Sequence, residues 1–204
     1  NPYERIEMDA HKLDGRFVVM IPALDGGWHP RLIHRLWVIV LLDVASRAVI
    51  GYHLSLRVEV NKDDVIAAIK NALVRWSRKT VSFGDQPYFE DAALPSGHHE
   101  RYVGLCWNET SVDGALAETC KTVKSKLHDV VGSTLLDPSV GFAQRRSKDD
   151  RPFIETFFRT LGSRGLHRMS NTTGAKVQDK RGRDPDKVAV ISEFQLEYAA
   201  ELLD

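Results

Sequence analysis

Two neighbouring apolar segments, residues 36–42 and 48–56, constrain the fold of this chain more than any other feature. They are joined by the short polar link Asp43-Val44-Ala45-Ser46-Arg47, hereafter the hairpin link. Two apolar runs of strand length around a short polar turn are typical of a hairpin of central, largely buried strands. The next segment, residues 61–78, has helical periodicity, and Asn61 is its predicted N-cap. Together these segments predict an α/β fold.

The remaining segments extend this pattern. Alternating polarity predicts strands at residues 6–11 and 17–21, whereas Gly and Pro mark residues 22–31 as a loop. Further strands are expected within residues 102–112 and at residues 133–136, and helices at residues 115–128 and 151–161. Composition predicts loops at residues 82–100, interpreted as an insertion, and at residues 138–150. The order of elements predicts one α/β domain with a mixed β-sheet flanked by helices.

The expected organisation is a core at residues 1–170, a basic linker at residues 171–187, and the start of a following helical segment at residues 188–204. The chain begins Asn1-Pro2 without an initiator Met, and we interpret it as a piece of a longer protein. Its apolar runs fall short of the roughly 20 residues that span a membrane, so no membrane partner is expected. Two cysteines, Cys106 and Cys120, give no disulfide framework and fit a reducing cytosol.

Positive and negative residues are equal in number over the whole chain, but they are unevenly distributed along it. The formal net charge is +0, yet residues 144–187 contain 12 Lys/Arg against 6 Asp/Glu. A basic stretch of this kind favours contact with nucleic-acid phosphates, although solvated surface is the structural alternative. The candidate DNA-binding residues are Arg145, Arg146, Lys148, Arg151, Arg159 and Arg168.

Three acidic residues are the candidate catalytic and metal-binding set. Asp9 lies in a predicted strand, Asp113 follows a turn-like run, and Glu155 opens the helix predicted at residues 151–161. Carboxylates are the hard oxygen ligands that Mg²⁺ prefers. Two ions about 4 Å apart can stabilise both the attacking and leaving oxygens of a phosphodiester. If the fold brings the three carboxylates together, they predict a site for two Mg²⁺ ions, with Mn²⁺ as a substitute.

The spacing of these residues also allows structural roles. Asp9 could be a surface residue, Asp113 a turn former, and Glu155 a first-turn acid favoured by the helix dipole. Two other acids are less suitable as ligands. Asp14 is expected in a turn, and Asp43 is expected to cap the backbone of the hairpin link.

At this point the chain resembles the DDE transposases and retroviral integrases, and is most similar to bacterial transposases of the Mu-like, multi-subunit type. The resemblance covers roughly residues 3–174. It lies in the stretches Glu7-Met8-Asp9-Ala10-His11-Lys12-Leu13-Asp14, Trp37 to Tyr52 with the hairpin link, Phe153-Ile154-Glu155-Thr156-Phe157-Phe158-Arg159-Thr160-Leu161, and Leu166-His167-Arg168.

The resemblance implies a ribonuclease H-like core with a DDE site made of Asp9, Asp113 and Glu155. The implied reaction is metal-dependent cleavage at transposon ends, followed by attack of the freed 3′-hydroxyl on target DNA. The implied partners are transposon-end and target DNA, further copies of the chain on that DNA, and an ATPase for target selection. The implied location is the bacterial cytoplasm, at the nucleoid.

The chain departs from the family in one respect. The family usually follows its second aspartate with Asn-Gly, whereas Gly114-Ala115 follow Asp113 here. Two alternatives therefore stay open. One is a nuclease that only hydrolyses, and the other is a catalytically silent DNA-binding or assembly module of the same fold.

Overall fold

The structure, a computed structural model, describes residues 1–78, 92–136, 151–165 and 184. By its internal contacts the chain divides into a first compact unit (residues 1–11, 37–78 and 93–157) and a second one (residues 12–36, 79–92 and 158–204). The carboxylates Asp9, Asp113 and Glu155 all belong to the first unit. The candidate site can therefore be described within one unit.

The first unit is built on a five-stranded mixed sheet with the strand order β5-β4-β1-β6-β7. Its strands are β1 (Arg5–Lys12), β4 (Trp37–Asp43), β5 (Val49–Ser55), β6 (Glu109–Ser111) and β7 (Thr134–Leu136). Strands β4 and β5 pair antiparallel, whereas β6 runs parallel to both β1 and β7. The predicted mixed sheet flanked by helices is thus confirmed, and each of its five strands lies where the sequence predicts one.

The hairpin link between β4 and β5 is held by the buried carboxylate of Asp43. One oxygen accepts a hydrogen bond from the backbone N–H of Tyr3 at 2.8 Å. The other accepts from the backbone N–H and the hydroxyl of Ser46, at 2.7 and 2.6 Å. Arg47 completes the turn with a φ of 66°, in the left-handed region. The predicted capping role of Asp43 is confirmed.

Helix α1 (Lys62–Leu73) begins as predicted but ends five residues early. Asn61 caps it by accepting from the backbone N–H groups of Asp63 and Asp64, and the Asp64 side chain accepts from Asn61 in return. The segment after Leu73 is not helical, and there the backbone N–H of Trp76 donates to the Ser96 hydroxyl at 3.0 Å. Periodicity predicts that α1 continues to Arg78, but beyond Leu73 the backbone makes a tertiary hydrogen bond and forms no helix.

The apolar core of the first unit lies between one face of the sheet and the helices. From β1 it receives Ile6 and Met8, both fully buried, and from α1 it receives Val65, Ala68 and Ile69. It also contains Ile39, Leu41, Ile50, Ala72, Trp107, Val112, Val123, Leu127 and Val131. Burial at roughly 25 cal/mol per Å² of apolar surface makes this cluster the main stabilising feature of the sheet.

Strand β6 is buried although its sequence, Glu-Thr-Ser, is polar. The indole N–H of Trp107 donates to the hydroxyl of Thr110 at 2.8 Å, and that hydroxyl lies 2.7 Å from the hydroxyl of Ser133. Buried hydroxyl groups are tolerated when they are hydrogen-bonded in this way. Trp107 is only 1% exposed, and it anchors this strand in the core.

The helix predicted at residues 115–128 is present but interrupted. It forms α3 (Leu116–Thr119), α4 (Lys121–Lys126) and a π-turn (Leu127–Val131). Cys120 separates α3 from α4 with a ψ of 153°, an extended value. The predicted insertion at residues 82–100 contains helix α2 (Pro95–His98), and a 3₁₀ turn follows at Glu100–Tyr102. Residues 79–91 lie outside the described residues.

Helix α5 (Pro152–Thr160) agrees with its prediction and continues into a π-turn at Leu161–Gly165. In the second unit, β2 (Phe17–Pro22) pairs antiparallel with β3 (Trp28–Ile33). The interpretation of residues 22–31 as a loop is therefore wrong for its second half. Residues 28–31 are exposed and lack the alternation that identifies a half-buried strand, while Gly26, with a φ of 83°, forms the turn.

Several predictions fall on residues that the structure does not describe. These are the loop at residues 138–150, the linker at residues 171–187 apart from Asp184, the helical segment at residues 188–204, and the candidate DNA contacts Arg145, Arg146, Lys148 and Arg168. Among the described residues, no helix combines the length and apolar character needed to cross a bilayer.

Candidate metal centre

The parallel pairing of β1 with β6 brings two of the three predicted carboxylates together. Glu7 of β1 is in register with Ser111 of β6. Asp9 and Asp113 each lie two residues further along their own chain segment. Because parallel strands run in the same direction, both aspartates reach the same end of the sheet, on the face that carries Glu7.

Asp9 lies in β1 just beyond the segment that pairs with β6, and local and tertiary contacts hold its side chain. One carboxylate oxygen accepts from the backbone N–H of Ala10 at 2.8 Å. The other lies 3.0 Å from Nη1 of Arg151, and the Asp9 side chain is 17% exposed. Burial raises the pKa of Asp9, and the Arg151 charge and the Ala10 N–H partly oppose this effect. Burial of the ionised Asp9 carboxylate therefore costs free energy, and the positive charge of Arg151 reduces that cost.

Asp113 lies in a turn directly after β6 and the buried Val112. Its Oδ1 accepts from the backbone N–H of Ala115 at 2.7 Å, an Asx-type turn. Gly114 between them has a φ of 91°, in the region that favours glycine. The second oxygen of Asp113 lies 3.9 Å from Nη2 of Arg151, and the side chain is 42% exposed.

A third carboxylate joins the two aspartates, and it is Glu118 of α3. Asp9, Asp113 and Glu118, hereafter the carboxylate cluster, each offer an oxygen within 4.8 Å of the other two. Glu118 is only 1% exposed. Its burial, followed by the charge of Asp113 and a hydrogen bond to it, raises the pKa of Glu118 to about 9. Burial and the neighbouring Asp113 charge thus favour the protonated form of this carboxyl group.

Arg151 is the cation of this site. The side chain is 12% exposed, and the guanidinium group spans Asp9 and Asp113. Its Nη1 approaches Asp9 at 3.0 Å but outside hydrogen-bond alignment, so the contact is an ion pair without a hydrogen bond. Among the described residues, Arg151 Nη1 and Glu118 Oε2 are the buried side-chain nitrogen and oxygen atoms that lack a hydrogen-bond partner. Both atoms lie at the carboxylate cluster.

Glu7 fixes the helix that carries Arg151. Its buried carboxylate accepts from the backbone N–H of Ile154, in the first turn of α5, at 2.7 Å. Pro152 at the first helical position has no N–H, and Arg151 before it points its side chain at the aspartates, so β1 supplies the cap from a distance. Burial raises the pKa of Glu7, while the N–H groups of Ile154 and Phe153 oppose that shift.

Phe153 gives α5 a further contact in the first unit. The guanidinium carbon of Arg47, in the hairpin link, lies 3.0 Å from the centroid of the Phe153 ring. A cation over an aromatic face is attracted by the ring quadrupole. The N-terminus of α5 is therefore held by Glu7 of β1 and by the hairpin link, both of which belong to the resembling stretches.

Glu155, the third predicted ligand, lies outside the carboxylate cluster. It is exposed, and its backbone N–H donates to the carbonyl oxygen of Arg151 at 3.3 Å. Residues four apart share a helix face, so Glu155 and Arg151 lie on the same side of α5, one turn apart. The structure thus unites Asp9 with Asp113 and places Glu155 one helical turn from the residue that pairs with both.

The remaining described candidate is Arg159, which is exposed in the last turn of α5. Arg151, also a candidate DNA contact, instead pairs with carboxylates in this structure. Its predicted role as a phosphate contact remains a prediction.

The donor set fits a hard divalent cation. Three carboxylate oxygens are the ligand type of Mg²⁺ and Mn²⁺, not of zinc in its structural sites. At Mg–O distances of about 2.1 Å, octahedral ligands lie about 3 to 4 Å apart. Oxygens within 4.8 Å of one another need only small rotations to reach those separations. The unpartnered Glu118 Oε2 is a buried acceptor that such an ion would satisfy.

Two residues of this site were not predicted from the sequence. Glu7 could have been, because it lies on the same strand face as Asp9 at i−2. Glu118 could not, since the break at Cys120 carries no Pro or Gly to indicate it. Comparison with known proteins adds no further assignment, as no protein-family model and no curated protein matches the chain.

Proposed function

We propose that this chain is the catalytic core of a DDE polynucleotidyl transferase, a DNA transposase or integrase with a ribonuclease H-like fold. The observation that carries the proposal is the meeting of Asp9 and Asp113 at one end of adjacent parallel strands. These are the two aspartates that the resemblance assigns to the site, and they are distant in sequence. The strand order β5-β4-β1-β6-β7 of a mixed sheet supports the proposed fold.

Each residue of the site would have its own role in binding metal or DNA. Asp9 would contribute oxygen to both of two Mg²⁺ ions, and Asp113 and Glu155 would each complete one side. When bound, such ions stabilise charge on the attacking and leaving oxygens and lower the pKa of the attacking water or hydroxyl. Ala10 and Ala115 fix the orientations of Asp9 and Asp113 through their backbone N–H groups. Arg159 would contact backbone phosphate and position the DNA.

The proposed reaction has two displacements at phosphorus. Water first attacks the phosphodiester at a transposon end, which breaks the P–O3′ bond and leaves a 3′-hydroxyl. That hydroxyl then attacks a target phosphodiester in line, and the target's own 3′-oxygen leaves. The proposed setting is the bacterial cytoplasm at the nucleoid, with several copies of the protein on paired ends and an ATPase that selects the target.

The test is a strand-transfer assay with the purified protein. The probes are labelled duplexes with the terminal sequences of the mobile element that encodes it, together with a supercoiled plasmid and Mg²⁺ or Mn²⁺. We expect labelled ends to become covalently joined to plasmid, and we expect Asp9→Asn, Asp113→Asn and Glu155→Gln to abolish joining. Plasmid cutting without joining would identify the hydrolysis-only nuclease instead.

One observation favours a second candidate, the catalytically silent DNA-binding or assembly module. Arg151 already neutralises part of the charge on Asp9 and Asp113, as a residue that replaces a metal ion would do. DNA binding with neither cutting nor joining, in either metal ion and with paired ends present, would support this alternative and reject the transferase.

A further inference from the structure

We infer that Glu118 is a ligand of the first divalent ion, together with Asp9 and Asp113, and that Arg151 holds the place of that ion until it binds. The inference rests on the proposed function, which it deepens by assigning a metal ligand on α3. The resemblance assigns only Asp9, Asp113 and Glu155, and it assigns Glu155 to α5.

The first step of the argument is position. Among the described residues, Glu118 is the carboxylate that shares the 4.8 Å group with Asp9 and Asp113, whereas Glu155 is exposed on α5 and is not a member of it. Glu118 lies on the short helix α3 that follows the Asp113 turn, so one chain segment delivers both oxygens. A site formed by β1 and this segment alone does not depend on where α5 places Glu155.

The second step is the state of the Glu118 carboxyl group. It is buried, and one of its oxygens has no hydrogen-bond partner among the described residues. Native proteins rarely leave a buried acceptor unsatisfied, and each such case requires an explanation. A cation bound between Glu118 and the two aspartates would satisfy that oxygen.

The third step is the resident cation. Arg151 brings one positive charge to Asp9 and Asp113, and its Nη1 is itself buried without a hydrogen bond. A divalent ion at the same carboxylates carries twice the charge in a smaller volume and is the harder partner for oxygen. The guanidinium group and the ion therefore compete, and release of Arg151 would free it to contact DNA phosphate.

The experiment is an electron paramagnetic resonance titration with Mn²⁺ alone, in which the free-ion signal reports the bound fraction. It compares the wild-type protein with Glu118→Gln, Asp9→Asn, Glu155→Gln and the surface control Asp63→Asn. Gln has nearly the shape of the protonated Glu118, so this variant is expected to fold. We expect Glu118→Gln and Asp9→Asn to weaken the tightest site by about tenfold or more, because ligand charge sets affinity. Asp63→Asn should leave all Mn²⁺ binding unchanged, whereas Glu155→Gln should weaken the second, looser site.

Two results would overturn the inference. One is a Glu118→Gln variant that binds Mn²⁺ as the wild type does while Asp9→Asn does not. The other is a wild type that shows no site-specific Mn²⁺ binding. If Glu118→Gln does not melt cooperatively, Glu118→Asp is tested in its place. Weaker Mn²⁺ binding by that variant would support the inference, and unchanged binding would overturn it.

Strand transfer is measured on the same preparations. A wild type that joins ends while Glu118→Gln binds Mn²⁺ normally refutes the Glu118 ligand and leaves the proposed function standing. Mn²⁺ binding through Glu118 without any joining supports the metal site and refutes the transferase. The two failures are therefore distinguishable.

Discussion

The two faces of strand β1 are stabilised by different physics. One face presents Ile6 and Met8 to the apolar core, where burial is complete. The other presents Glu7 and Asp9 to the N-terminus of α5, where a backbone N–H and a guanidinium group are the partners. Dispersion and the hydrophobic effect hold the first face, and paired charges hold the second. The same strand thus serves as scaffold on one side and as a site on the other.

The largest expected effect is on the apolar face. Met8→Ala removes a fully buried side chain and leaves a cavity, so we expect the free energy of unfolding to fall by about 2–5 kcal/mol. Urea denaturation followed by circular dichroism measures this change. A loss below about 1 kcal/mol would mean that the core of the sheet relaxes around the cavity, and the contrast between the two faces would be weaker than described.

The second effect tests the capping contact on the polar face. Glu7→Ala leaves the buried N–H of Ile154 without a partner, and we expect a cost of about 1–3 kcal/mol. Glu7→Gln keeps an acceptor oxygen and is the matched control, with a smaller cost. Amide hydrogen exchange at Ile154 should accelerate in the Ala variant and less in the Gln variant. Equal exchange in both would show that α5 does not depend on this cap.

The third effect is a pH dependence of stability that comes from the buried carboxyl groups at the site. The ordinary pKa of a Glu is 4.5, and in the folded protein Glu118 has a pKa of about 9, so folding takes up a proton between these values. Stability is therefore highest below the lower value and falls as pH rises toward 9. The raised pKa values of Glu7 and Asp9 act in the same direction.

Replacing Glu118 with Gln removes its share of this dependence. Between pH 5 and pH 9 in EDTA, we expect the melting temperature of the wild type to fall further than that of Glu118→Gln, by about 2 °C or more. Asp63→Asn should follow the wild type. Parallel curves for wild type and Glu118→Gln would contradict the burial argument for this carboxyl group.

The smallest effect concerns the resident cation. Arg151→Gln removes the guanidinium competitor, and we expect Mn²⁺ to bind about fivefold more tightly, equivalent to roughly 1 kcal/mol. Isothermal titration calorimetry measures this change, with Arg159→Gln as a control on the same helix. Unchanged or weaker binding would show that Arg151 supports the carboxylates without occupying the place of the ion.

The sequence predicts well the strands and the helix that build the apolar core. Strands β1, β4 and β5 and the start of α1 follow from alternation, from the hairpin link, and from the Asn61 cap, all of which are local signals. Strand β3 was missed because its first four residues are exposed and do not alternate in polarity. The end of α1 was missed because the bond from Trp76 to Ser96 is tertiary.

The site is predicted only in part, for a related reason. Asp9 and Asp113 are selected by resemblance and meet through the register of β1 and β6, which no local pattern encodes. Glu118 joins them because α3 ends at Thr119, before the extended residue Cys120, and its burial is decided by neighbours far away in sequence. Sequence periodicity reports only on neighbouring residues, so it does not predict which side chains are brought together by the pairing of strands far apart in the sequence.

The register of β1 against β6 also has a consequence for the order of folding. Closing a loop of about a hundred residues between Asp9 and Asp113 costs roughly 4 kcal/mol of chain entropy before any contact across it forms. Local contacts within the β4–β5 hairpin and α1 form faster than such long-range pairing. A nascent chain would therefore build its scaffold first, and its acidic residues would meet only after β6 has left the ribosome.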